Sequence, residues 1–437
     1  MLALGEIQNL KIYNMKLSKT LIDRAGSALA TDSEEDVDKY IMYVDAFDEY
    51  RKLHLEPLSK TTVELQHWLN SLGEEYFIAQ RLKRKPQILR KLRRFSVRLS
   101  QLQDIGGSRI IVNKNIDVDK VINFLNERLD HSDELKVIRR TDYRGEGRDD
   151  SGYRACHIII ERDNMKIELQ IRSKIQHYWA ETIERTSVVY GHHIKELEGD
   201  PIIINYFKSL SDLFYEIESA RKPNSALKNK VEEFRIKSEE IIQNADEKNI
   251  FSSHVNEGVV KDLEEKEKRA NNSGINNWIF VFNWKIGSFV TWDLVTNDPN
   301  GAVNKYVEYE NKYTSEEGYE VVLVGSSEVA TIRRTHSHYF GLNHSDGPVL
   351  EDLNSSIVGF SNTMDIDVGA REILQTLERR RFWGSKSISK ETLKNHFCKS
   401  ILTFDSSIES LYEKELILFQ GGVSLNLKKK NEIMGYL

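Results

Sequence analysis

Ile41, Val44, Ala46 and Phe47, followed by Leu65, Trp68 and Leu69, recur at helical spacing and predict two or three helices over 17–72, with Pro57 marking a break. The segment over 81–98 continues that helical region. The period then changes. Residues 108–112 predict a strand, 117–129 a helix with Val118, Val121, Ile122 and Leu125 on one side, and 134–139 a second strand. A polar, glycine-containing loop over 141–152 follows. Two more strands, 157–161 and 166–171, are joined by Arg162-Asp-Asn-Met165 as a hairpin, and 174–190 is an aromatic-bearing helix. The pattern is a mixed sheet of four or five strands with helices packed against it, an α/β (α+β) fold.

Residues 201–271 read as a helical, increasingly charged connector. Val231, Phe234 and Ile241 form its stripe, read as a packed helix in preference to a partner-binding coil. Asn271-Asn-Ser-Gly274 is a turn-rich linker. A small α/β unit over 278–345 is expected next, with strands at 278–284, 288–292 and 319–324 and a helix after Asp298-Pro299. Over 366–437, helices at 370–380, 389–398 and 405–415 precede a hairpin turned by Gly421-Gly422, the order of a winged helix.

At 437 residues the chain suggests several domains. No window is apolar enough for a membrane span, no secretory leader is legible, and Cys156 and Cys398 make no metal-ligand spacing, so a reducing cytoplasm is the expected setting. The net charge of −6 argues against coating nucleic acid along the whole surface.

Against that balance, residues 81–98 hold nine Lys or Arg in eighteen positions and no acid. Such a segment calls for an anion, and polyphosphate is the candidate. Asp104 follows at the mouth of a strand, and Glu168, Gln170 and Arg172 alternate on one face of another. Two carboxylates completed by substrate phosphates are a usual way to hold Mg²⁺. Ser151-Gly-Tyr-Arg-Ala-Cys-His157 adds an exposed-looking Tyr153 on which a base can stack, and His157 to reach phosphate or sugar oxygens. His192 and His193 lack ligand-spaced partners and read as surface or packing residues.

Taken together, these segments resemble the synthetase domain of the RelA/SpoT family, the pyrophosphokinases that make (p)ppGpp. Arg81-x-Lys83-x-x-x-Gln87-Ile88-x-x-Lys91 matches the donor-phosphate motif, with Gln where Ser is usual. Asp104-Ile-Gly-Gly-Ser-Arg109 matches the next element, and Asp142-Tyr143 with Gly152-Tyr-Arg-Ala-Cys-His157 matches the acceptor loop. Glu168-Leu-Gln-Ile-Arg172-Ser and His177-Tyr-Trp-Ala-Glu181 complete the series. One departure is chemical: where the family carries a phosphate-binding Lys, this chain has Asp149, with Arg148 beside it. No hydrolase domain is legible upstream.

The resemblance implies a nucleotidyltransferase-type fold. Its expected layout is a helical lead-in over 1–55, the synthetase domain over 56–200, the connector over 201–271, the small α/β unit over 278–345 and the winged-helix-like unit over 366–437. It implies transfer of the β,γ-pyrophosphate of ATP to a ribose 3′-hydroxyl of GDP or GTP, in stress or defence signalling. Asp104 and Glu168 are the expected catalytic and Mg²⁺-binding pair. Arg81, Lys83, Gln87, Lys91 and Arg109 would hold ATP, Arg81 and Arg109 sandwiching the adenine. Arg148, Tyr153, His157, Gln170 and His177 would meet the acceptor, with the ring of Tyr153 rather than its hydroxyl as the working part. Three alternatives stay open: the 3′ end of tRNA, guided by Arg139, Arg140, Arg144 and Arg148; adenosine nucleotides; or a non-catalytic nucleotide-binding regulator. The winged-helix-like unit is expected to take a protein partner, or DNA through Lys428-Lys-Lys430.

Overall fold

The structure is a computed structural model that describes residues 17–148, 151–245, 257–270, 275–283, 288–295, 299–314, 317–336, 366, 368–399, 401 and 404–437. The N-terminal periodicity resolves into three helices, α1 (Lys19–Thr31), α2 (Val37–Lys52) and α3 (Leu55–Asn70), with Pro57 in the first turn of α3, where a missing N–H costs nothing. The basic segment does not continue them. Arg81 lies on a strand, β1 (Tyr76–Leu82), and a separate helix, α4 (Lys85–Phe95), starts with Pro86 in its first turn. Tyr76, Phe77 and Ile78 supply the strand preference that the downstream charge obscures, and Pro86 pre-sets the helix entry.

The chain continues through β2 (Gly106–Val112), α5 (Asn115–Asp130), β3 (Lys136–Asp142), β4 (Cys156–Arg162), β5 (Met165–Ser173) and α6 (Lys174–Tyr190). Helices α7 (Pro201–Glu218), α8 (Ser225–Ala245) and α9 (Glu257–Ala270) follow, then β6 (Asn276–Asn283), β7 (Ser288–Val295), α10 (Pro299–Lys312), β8 (Tyr319–Ser326) and α11 (Val329–Thr335). The strands form one eight-stranded sheet in the order β3-β4-β5-β2-β1-β8-β6-β7. Neighbours are antiparallel except β2 and β5, whose parallel pairing makes the sheet mixed.

The expected small unit after residue 278 is therefore not a sheet of its own. β8 pairs with β1 through Gln80↔Gly325 and Arg81↔Val324, which widens the expected four- or five-stranded sheet to eight strands. Gly325 permits this join, because a Cβ there would lie 2.5 Å from the Gln80 side chain. Ile279, Val281, Tyr306 and Leu323 share one core with α1–α5, while Trp278, Phe280, Phe289 and Trp292 pack on the opposite face with Val259 and Leu263 of α9. β6 is buried at every position, as a strand covered on both faces must be.

α6, α7 and α8 form an aromatic cluster around Trp179, Tyr206 and Phe207. Val231, Phe234 and Ile241 pack into it, so that stripe is a packed helix face. The C-terminal stretch has a core of its own, built from α12 (Val368–Arg379), a short helical turn over Lys390–Thr392 and Leu393–Phe397, α13 (Phe404–Glu413), and the hairpin Ile417–Phe419 and Val423–Leu425. The order of three helical stretches and a hairpin is the one read from the sequence, and a further short helix, Lys430–Tyr436, follows it. Among the described residues, no helix is long and apolar enough to cross a membrane.

Candidate active site

Strand register assembles the site. Arg81 on β1 pairs with Gly107 on β2, which pairs with Glu168 on β5, so these three form one row across the sheet. The next row on that face is Ala79, Arg109, Gln170 and His157. Gly107, lacking a side chain, leaves a gap between Arg81 and Glu168, and a Cβ there would approach the Glu168 carbonyl oxygen to 3.1 Å. Over these rows lies a cavity of about 300 Å³, whose walls include Asp104 from the β2 lead-in, Lys91 from α4 and Tyr153 from the β3–β4 loop. Its size is at the lower end of ordinary small-molecule sites.

The backbone N–H of Lys83 donates to the Ile105 carbonyl (2.7 Å), extending the β1–β2 pairing past the strand end. Lys83 Nζ thereby meets Asp104 Oδ2 at 2.5 Å, and Lys91 Nζ reaches the same oxygen from α4 at 2.8 Å. Asp104 Oδ1 is buried without a hydrogen-bond partner among the described residues. Burial alone would raise the Asp104 carboxyl, but the two lysines outweigh it and hold it below the usual range. Burial pushes the Lys83 ammonium down, with Asp104 opposing.

Glu168 is gripped on the other side. His157 Nδ1 lies 2.9 Å from Oε1, and Gln170 Nε2 donates to Oε2 at 2.6 Å. Against burial, these contacts hold Glu168 well below the carboxylate range, and Glu168 in turn helps to raise His157 to about 9 despite desolvation. The protonated imidazole donates from Nε2 to the Tyr153 hydroxyl oxygen (2.7 Å), which also accepts from Arg172 Nη2 (2.5 Å). Burial would raise the Tyr153 phenol, but the two cations bring it to about 8.

Tyr153 is thus not the exposed platform anticipated. It is 8% exposed, Arg172 lies over its ring at 4.9 Å, and the rings of Tyr143 and Trp179 meet it edge-on. The positive φ of Gly152 (+81°) turns the ring inward under α7, where a Cβ would lie 3.1 Å from Lys208 Cα.

The remaining expected residues divide. Arg81, Gln87, Arg109 and Arg148 all line the cavity. Arg109 is held by Glu181 (3.1 Å) and by the Thr335 carbonyl at the end of α11 (2.6 Å), and desolvation lowers its guanidinium to about 10. His177 is buried beside Glu181 (3.8 Å), one turn earlier on α6, and Glu181 rather than His177 reaches the cavity wall. Of the arginines considered for RNA, Arg140 pairs with Asp130 (2.6 Å), and Arg144 with Asp119 (2.6 Å) and Asp142 (2.7 Å). Asp149 lies outside the described residues.

Several wall residues carried no sequence signal for this role. Lys195, Glu184 and Glu196 come from the end of α6 and the loop beyond, and Glu320 and His336 from the β8–α11 region. His193, read as surface or packing, lines the cavity with its Nε2 2.8 Å from Arg90. The spacing of Arg90 and Arg94, one turn apart on α4, was the available clue: both pair with Glu196.

Residues 80–195 match the family described as the region found in RelA/SpoT proteins. Uncharacterized proteins of Mycobacterium tuberculosis and Mycobacterium bovis are 29% identical over 136 residues, 30% of this chain. The matched stretch spans 46% of those curated relatives, so the chain covers less than half of their length. Similar solved structures include a GTP pyrophosphokinase family protein from Streptococcus pneumoniae, at 20% identity and TM-score 0.34, covering 40% of this chain and 90% of that one. The small alarmone synthetase 1 from Bacillus subtilis bound to its product pppGpp is 22% identical with TM-score 0.33, covering 39% and 93%. The ordered motifs, the two strand rows and the family match fall on the same stretch, and residues 80–195 are a RelA/SpoT-type domain.

Proposed function

We propose that the chain is a nucleotide pyrophosphokinase that transfers the β,γ-pyrophosphate of ATP to the ribose 3′-hydroxyl of GDP or GTP, giving (p)ppGpp and AMP. The observation that carries this reading is Asp104, a half-buried carboxylate clasped by Lys83 and Lys91, with its second oxygen unpartnered among the described residues, on the same cavity as Glu168. Such a site joins cations for a polyphosphate to hard oxygen donors for a metal. Phosphoryl chemistry needs little beyond that positioning and neutralisation.

The donor set fits Mg²⁺, which takes one or two carboxylates and fills its other positions with phosphate oxygens and water. Asp104, through its free Oδ1, and Glu168 would hold it; when bound it neutralises charge on the transferring group. Lys83 and Lys91 serve the donor phosphates as point charges, with Gln87 beside them, and Arg81 and Arg109 flank the adenine. The acceptor 3′-oxygen bonds to the β-phosphorus as the bond to the α-phosphate oxygen breaks and AMP departs. Glu168 orients the 3′-hydroxyl and accepts its proton as the new bond forms. In a loose transition state the proton leaves late, so a carboxylate kept ionised by His157 serves better than a strong base. Gln170, Tyr153, His157 and Arg148 border the acceptor. His177 acts through Glu181, not on the acceptor directly.

Guanosine nucleotides rank above the tRNA 3′ end because Arg140 and Arg144 already have carboxylate partners, which weakens a phosphate-guiding fringe. A cytoplasmic setting, rich in ATP and GTP, goes with this reading. The winged-helix-like unit is assigned to a protein partner in preference to DNA, since Lys429 of its lysine triplet pairs with Glu432 at 2.8 Å. The test is incubation with γ-labelled ATP and, separately, GDP, GTP, adenine nucleotides and deacylated tRNA. Label on guanosine nucleotides is expected. Label only on another acceptor moves the substrate assignment, and no label on any of them leaves a nucleotide-binding regulator.

A further inference from the structure

Among the described residues, Arg172 is a buried cation without an anion partner. Strand alternation on β5 turns it to the same face as Glu168 and Gln170, and it is 3% exposed. Its Nη2 donates to the Tyr153 hydroxyl (2.5 Å) and to Gln170 Oε1 (2.7 Å), both neutral acceptors. Its Nε and Nη1 are buried with no hydrogen-bond partner among the described residues. Other buried arginines are treated differently: Arg51 meets Glu310, Arg154 meets Asp212 and Arg162 meets Glu64. Unpaired N–H groups on a desolvated charge are costly, and they persist where a ligand completes them. Arg172 also lines the cavity.

The missing anion belongs to the acceptor side. The donor-side lysines, Lys83 and Lys91, are both occupied by Asp104, whereas the bonds of Arg172 run to Tyr153 and Gln170. Position 149, beside Arg148, carries an aspartate, which lowers the positive charge this loop can offer an acceptor phosphate. Arg148 is turned over the ring of Tyr143 at 5.7 Å. Arg172 supplies a guanidinium whose open N–H groups match phosphate oxygens.

We propose that Arg172 is the specificity-determining anchor for the 5′-phosphate of the acceptor nucleotide, whether free or esterified at an RNA 3′ end. The assignment to an acceptor rests on the pyrophosphokinase reading; the open N–H groups of Arg172 do not.

The test is equilibrium binding by calorimetry to the full chain, with GDP, GMP and guanosine as probes, alongside label transfer from γ-labelled ATP to the same compounds and to an RNA oligonucleotide ending in CCA. The native protein should bind GDP about 10- to 100-fold more tightly than guanosine, the scale of a charge-assisted contact. Arg172→Gln should bring that ratio close to one, and Arg172→Lys, which keeps the charge but loses the fork, should retain an intermediate ratio. Thermal melting checks each variant, and Arg172→Lys carries the comparison if the glutamine variant does not fold. An RNA-labelling rate that falls in Arg172→Gln, with GDP binding indifferent, places the phosphate on RNA and keeps the anchor. A preserved GDP-to-guanosine ratio in folded Arg172→Gln, with RNA labelling also unchanged, overturns the proposal. So does a native protein that ignores the 5′-phosphate on both mononucleotides and RNA. Intact phosphate discrimination without any label transfer sinks the pyrophosphokinase reading alone.

Discussion

Arg51 and Glu310 are 259 positions apart in the chain and 2.7 Å apart in the fold. The guanidinium is fully buried between α2 and α10, where it also donates to the Lys83 carbonyl (3.1 Å) and lies over the Tyr306 ring at 5.1 Å. It ties the helical lead-in and the added strands to the start of the basic segment. Asp48 also pairs with Arg51, at 3.3 Å, so Glu310→Gln should weaken the match without abolishing it and destabilise the protein by about 1–3 kcal/mol. The double variant Arg51→Met with Glu310→Leu should recover much of that loss. Urea unfolding of the three variants measures both, and additive losses in the double variant would show that the two residues act independently.

The carboxylate pair gives the second expectation. Asp104→Asn or Glu168→Gln should each lower pyrophosphate transfer at least ~10²-fold, the scale of deleting one preorganised electrostatic contact. Unfolding midpoints should change little by comparison. Near-native turnover in both would move the chemistry elsewhere.

Tyr153 yields a prediction that differs from the sequence expectation. A ring used only for stacking would tolerate Tyr153→Phe. Here the hydroxyl is the partner of both His157 and Arg172, so phenylalanine strips a contact from two buried cations. A stability loss of about 1–3 kcal/mol is expected from unsatisfied buried groups, together with weaker acceptor binding. Denaturation and acceptor KM for Tyr153→Phe read this directly; a silent variant would return the role to the ring.

His54 sets a pH dependence of stability. It is buried, its Nδ1 faces the Tyr50 carbonyl at 2.9 Å, and desolvation lowers it to about 4, with Arg51 adding repulsion. Because the folded value lies below the ordinary one, the unfolded chain binds the proton more readily. The contribution is complete above the unfolded value of about 6.5 and is lost as pH falls toward 4, on the order of 3 kcal/mol in all. His54→Gln should flatten the drop in unfolding free energy between pH 7.5 and pH 5. An equally steep drop in that variant would assign the acid sensitivity to other groups.

What the sequence determined by itself is local. Alternation along β5 put Glu168, Gln170 and Arg172 on one face, and the dipeptide Gly421-Gly422 marked the hairpin, because side-chain direction and turn geometry follow from neighbouring residues. The ordered motifs located the cavity wall for the same reason. Arg81 was misread as helical because charge density hides strand propensity, and the β6–β8 strands were set apart because nothing local announces a partner strand. Pairing was decided in three dimensions. Only register laid Arg81, Gly107 and Glu168 in one row, brought β8 against β1 at Gly325, and turned Tyr153 inward beneath α7. Arg172 shows the division most sharply: the strand period fixes its face, but whether a carboxylate waits opposite depends on which distant elements pack there, and among the described residues none does.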